Sequence, residues 1–124
     1  MISLKFDEIT PGHISGKWKV VSYRSSSRAE NFFLEGLKEI TFLPDLNFIA
    51  ASSGIVTGKW QLEQHKEIIA NPVLSFELLT GSASDRAMIT RYAYMPKEYE
   101  IKKNDEMIIY FSNGSEYVLE KIQA

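Results

Sequence analysis

Arg91, Tyr92 and Tyr94 stand close together in Met88-Ile89-Thr90-Arg91-Tyr92-Ala93-Tyr94, the one alternating run in which neither face is purely apolar. If Arg91 faced the interior of a sheet, its guanidinium would need a partner, and a ligand carboxylate is a natural one. If it faced outward, Tyr92 and Tyr94 would line the interior and offer hydroxyls that orient a ligand. The plainer reading, a solvated arginine beside two wall tyrosines, is the one we favour, because arginine is seldom buried without a partner.

Little else in the chain has the residue types for chemistry. His13 and His65 are the only histidines, neither sits at a metal-ligand spacing, and a histidine-based acid–base site has no visible second member. Asp45, Asp85 and Asp105 fall in turns, where aspartate bonds to nearby backbone. There is no Gly-x-Ser-x-Gly elbow, phosphate loop or dinucleotide fingerprint. Cysteine is absent, which removes disulfides, thiolate metal sites and cysteine nucleophiles together. The expectation is therefore no metal, no cofactor and no enzyme. Were the barrel interior to support isomerase or hydratase chemistry, Arg91 and Glu77 would be the ionisable groups to inspect first.

The 14 basic and 16 acidic residues are dispersed and leave a net charge of −2, so no nucleic-acid footprint is expected. No stretch approaches the roughly 20 apolar residues of a membrane-spanning helix. Met1 to Asp7 lacks the apolar run of a signal peptide. A cytoplasmic location is expected, or a periplasmic or secreted one if a leader has been removed. Nothing in the sequence speaks to oligomeric state.

The elements that must position these residues are strands. Period-two runs bounded by Gly, Pro, Asn, Asp or Ser recur along the chain. They cover 16–23, 38–43, 47–51, 55–62, 67–70, 73–79, 86–95, 98–103, 107–111 and 116–122, with Trp18 and Val20 on one face, Trp60 and Leu62 on another, and Leu74, Phe76 and Leu78 on a third. An even number of strands in a meander brings the last beside the first, and closure removes both sheet edges. Merging 67–70 with 73–79 would leave nine, and one further run lost to loop would restore parity at eight. The prediction is one all-β domain over 1–124, an antiparallel up-and-down β-barrel of 8–10 strands. One short helix is expected after the first of these strands, in 24–36, where Ser27 and Glu30 form a capping-box pattern and Gly36 suits a helix C-terminus. Phe32, Phe33 and Leu34 would seat that helix near the barrel mouth, at the end opposite Gly16 and Trp18.

The early Gly16-Lys17-Trp18-Lys19-Val20-Val21, the meander that follows it and the closing Glu116-Tyr117-Val118-Leu119-Glu120-Lys121 resemble the lipocalin and fatty-acid-binding superfamily over nearly the whole chain. The likeness is greatest to small bacterial lipocalin-like domains. It implies that Gly16 and Trp18 open the first strand and that Lys121 packs on Trp18 at a closed end. A second Gly58-Lys59-Trp60-Gln61-Leu62 shows that the Gly-x-Trp pattern alone is common strand chemistry; the segments between the two copies share no pattern that would make them a duplication. In fatty-acid-binding proteins an Arg-x-Tyr on the last strand holds the ligand carboxylate. The corresponding positions here are Tyr117 and Leu119, so that anion clamp is missing.

What the resemblance and the aromatic inward faces imply is a carrier or sensor of a small apolar or amphipathic molecule. Its candidate lining is Phe32, Phe33, Trp60, Phe76, Arg91, Tyr92, Tyr94 and Tyr117. The alternative is a protein-interaction module in which the barrel is only scaffold and holds no small molecule.

Overall fold

Eight strands follow one another antiparallel in chain order, and the last returns to the first. They are β2 (Gly16–Arg24), β3 (Glu39–Phe42), β4 (Asn47–Ala51), β5 (Ile55–Glu63), β6 (Val73–Leu78), β7 (Ser84–Tyr94), β8 (Glu106–Phe111) and β9 (Glu116–Ile122). The β2–β9 ladder closes the barrel, running from Lys17 opposite Ile122 to Arg24 opposite Glu116. A two-residue strand, β1 (Ile2–Ser3), adds to the end of β7, and a one-turn helix, α1 (Pro11–Ile14), precedes β2. This computed structural model describes residues 2–3, 8–24, 36–52, 54–64, 71–81, 83–94, 105–112 and 114–122, with the backbone alone at 2, 3 and 94.

Among the described residues eight strands form the closed barrel, within the expected 8–10, and the parity argument holds at eight. The runs at 67–70 and 98–103 lie outside the described residues, as does the expected helix in 24–36 apart from its two end residues: Arg24 closes β2 and Gly36 is a turn. The described helix, α1, follows β1. Its signal was legible: Thr10 caps it, with Pro11 in the first turn where a missing N–H costs nothing.

Alternation places the core. Phe42, Phe48, Trp60, Leu74, Phe76, Ala87, Ile89, Met107, Ile109, Phe111 and Leu119 all point inward and are buried. Each large apolar side chain buried in this way contributes roughly 1.5–3 kcal/mol before chain entropy is counted. Rings from five strands meet across the interior: Phe42 with Phe76 at 5.9 Å, Phe48 with Phe76 at 5.5 Å, Phe76 with Phe111 at 5.8 Å and Phe111 with Tyr117 at 5.5 Å between centroids. Gly58 makes room for this stack, since a Cβ there would stand 2.7 Å from the Phe48 ring.

Two register shifts break the alternation, and each has a consequence for side-chain direction. On β7 the shift falls between Ile89 and Arg91. Ala87 and Ile89 face inward; strict alternation would then have carried Arg91 inward as well, but the bulge at Thr90 turns Tyr92 in and Arg91 out. On β2 the shift lies between Val20 and Ser22, so that Tyr23, not Ser22, shares the inward face of Trp18 and Val20.

The barrel has two dissimilar ends. β3 ends and β4 begins at the α1 end, as do β5 and β6 and β7 and β8, whereas β2 ends and β3 begins at the other, as do β4 and β5, β6 and β7, and β8 and β9. At that second end β2 outruns its neighbour: β3 reaches only as far as Lys19, and Val20 N–H donates to the Lys38 carbonyl at 2.8 Å. Beyond this point, among the described residues, β2 pairs with β9 alone.

Candidate functional site

At the α1 end a polar cluster lies beside the Trp18 indole. Gly16 has φ 130°, a backbone setting that favours glycine, and a Cβ there would meet Lys121 Cε at 3.3 Å. The glycine thus leaves a lane for the Lys121 stem, whose Nζ stands 5.1 Å from the centroid of the Trp18 ring. Lys121 Nζ donates to the His13 carbonyl oxygen at 2.6 Å and lies 3.7 Å from Asp105 Oδ2. Tyr92 Oη is 2.7 Å from both Asp105 Oδ2 and the His13 carbonyl oxygen, so one hydroxyl proton serves two acceptors. Trp18 Nε1 donates to the Ile14 carbonyl at 2.8 Å. Three strands therefore grip the carbonyls of one short helix.

Local sequence sets α1 for this role. The Thr10 hydroxyl accepts from His13 N–H, and His13 Nδ1 accepts from Thr10 N–H at 3.1 Å, a reciprocal cap that fixes the turn. The His13 ring packs edge-on against Tyr92 at 5.7 Å.

Burial, with the Asp105 hydrogen bond and charge behind it, holds the Tyr92 phenol well above the ordinary tyrosine range. Burial also pulls the Lys121 ammonium below its ordinary value, against the opposing pull of Asp105. A tyrosine, a carboxylate and a lysine in contact have the composition of an acid–base site. Here they bond to one another and to the His13 backbone, with Tyr92 only 1% exposed, so the arrangement acts as a latch on α1.

The opposite end is built differently. Tyr23 and Tyr117 are cross-strand partners whose rings stack at 5.8 Å with 21° between planes. Tyr117 is buried, whereas Tyr23 is 64% exposed. Ile55 and Leu79, at the strand ends of the same rim, are also exposed. Arg24 and Glu116 pair at 3.4 Å just outside the stack.

The expected lining residues divide between these places. Tyr117 is buried opposite Tyr23, at the end away from α1. Phe76 is at the centre of the ring stack, and Trp60 packs against Phe42 at 5.1 Å while its Nε1 donates to the Leu43 carbonyl. Tyr92 belongs to the latch. Arg91 does not line the interior: its side chain is 47% exposed and lies 3.9 Å from Glu106, because the bulge turns it outward. Phe32, Phe33 and the Tyr94 side chain lie outside the described residues. Glu77 is an exposed residue of the outer face.

Tyr23, Asp105 and the His13 carbonyl were missed by sequence reasoning. Asp105 read as a turn residue, and Tyr23 stood on the lysine-bearing face until a bulge is allowed for. Among the described residues no group of three or more His, Asp or Glu side chains could hold a metal ion, and no helix is long and apolar enough to cross a membrane. An eight-strand closed antiparallel barrel of this kind is consistent with a calycin-like fold. In comparison with known proteins, the chain matches no protein-family model, no curated protein sequence and no solved structure.

Proposed function

We propose that the protein holds a small apolar or amphipathic molecule at the end of the barrel away from α1, as a carrier or sensor and without chemistry on the ligand. The observation that carries this reading is the contrast between the two ends. At the latch, the polar groups are paired with one another under Trp18. At the other end an inward-facing tyrosine is left 64% exposed directly above the aromatic interior, a disposition that leaves apolar surface for a ligand to cover.

Native mass spectrometry of protein purified without detergent, followed by solvent extraction, tests this reading. The expected result is an added mass released on denaturation, or, from a ligand-free preparation, saturable binding of an environment-sensitive apolar dye. A bare mass together with no saturable dye binding would overturn it and favour the barrel as a scaffold for a protein partner.

A further inference from the structure

We propose that Tyr23 is a stacking platform and that the barrel end away from α1 accepts a flat, neutral aromatic ring system laid over it, in preference to an extended chain threaded down the axis. This rests on the reading that the barrel binds a small molecule, and it adds the class.

The first support is the bulge on β2. Trp18 and Val20 face inward, and unbroken alternation would continue to Ser22 and leave Tyr23 outside. The shift between Val20 and Ser22 sets Tyr23 opposite Tyr117 instead. A bulge interrupts the ladder, and re-aiming a side chain is one of the things bulges do beside binding sites.

The second is the state of the ring so aimed. One face lies on Tyr117 at 5.8 Å, nearly parallel, while 64% exposure leaves the other to solvent. Core packing therefore accounts for only one of its faces. A third flat ring would continue the stack and remove the open face from water. Among the described residues the adjacent charges, Arg24 and Glu116, are paired at 3.4 Å and offer no unpaired charge to select an ion.

The third is what lies beneath. Tyr117, Phe111, Phe76, Phe48 and Phe42 touch ring to ring across the barrel. An extended chain running down the axis would have to displace packed rings, with loss of their mutual contacts. A flat ring resting on Tyr23 displaces none.

Two neutral probes separate these cases: N-phenyl-1-naphthylamine, an aromatic ring system, and methyl parinarate, a linear polyene, each titrated by fluorescence into wild type, Tyr23→Phe and Tyr23→Ala. The naphthylamine should bind more tightly than the polyene, lose about tenfold in affinity with Tyr23→Ala, and stay within about twofold with Tyr23→Phe. Tyr23→Trp supplies a second readout, since its emission should be quenched by the bound naphthylamine. Circular dichroism confirms that each variant is folded. Naphthylamine binding unchanged by Tyr23→Ala would overturn the platform. Tighter binding of the polyene would overturn the ligand class and leave the carrier reading standing. Failure of both probes to bind would overturn both.

Discussion

The Tyr92 hydroxyl and Asp105 Oδ2 lie 2.7 Å apart beneath the Trp18 indole, and the same hydroxyl reaches the His13 carbonyl that Lys121 also holds. This single contact ties the bulged part of β7 to the start of β8 and both of them to α1. Its loss should be felt in stability rather than in ligand binding. Tyr92→Phe keeps the ring that meets Trp18 edge-on at 5.8 Å and removes only the donor. The expected loss is about 1–3 kcal/mol, read from the urea midpoint at neutral pH. Lys121 remains to satisfy both oxygens, which favours the lower half of that range.

The same pair sets an alkaline limb. An unfolded tyrosine ionises near pH ~10, whereas folded Tyr92 keeps its proton to well above that value. Between the two, the folded state binds the extra proton, so this contribution is complete below about pH 10 and is lost as pH rises further. Lys121 acts in the opposite sense. Its folded value is lowered, and stability rises with pH from there up to the ordinary lysine value near ~10.4. The difference between wild type and Tyr92→Phe removes the lysine contribution and should shrink as pH climbs from 10. A constant difference across that range would sink the assignment.

Lys121→Met preserves the stem in the lane left by Gly16 and deletes the ammonium. His13 O then loses one donor and Asp105 its cation, with both side chains about one-fifth exposed. A loss of about 1–2 kcal/mol is expected, with a shift in Trp18 emission. Lys121→Arg should recover most of it, because guanidinium can both stack on the indole and donate to the carbonyl.

Gly58→Ala should destabilise by more than about 2 kcal/mol, since overpacking forces backbone and ring to move. The new Cβ meets both the Phe48 ring and the Glu77 carbonyl. Shortening the ring with Phe48→Leu relieves only the first clash, so the double variant should not return to wild-type stability. Full rescue would show that the backbone contact is unimportant.

Leu46 has φ 71° in the β3–β4 turn and is 45% exposed. Leu46→Gly should raise stability by about 1 kcal/mol by releasing left-handed strain, detected as a higher melting temperature. Arg91→Ala, by contrast, should change stability by less than about 1 kcal/mol and leave probe binding unaltered, because its pair with Glu106 is exposed.

Alternation and turn chemistry determined a good deal of this protein from sequence alone. Trp18, Phe42, Phe48, Trp60, Phe76 and Leu119 fall on inward faces because a period of two leaves them nowhere else to go. The parity of a closed meander then brings residues 116–122 beside residues 17–24. Tertiary structure decided where that period is broken. A single extra residue on β7 and another on β2 reverse every side chain beyond them, and a bulge is defined by the partner strand's register, which one strand's sequence does not contain. That is why Arg91 lies outside, Tyr92 reaches Asp105 just before β8, and Tyr23 turns to face Tyr117.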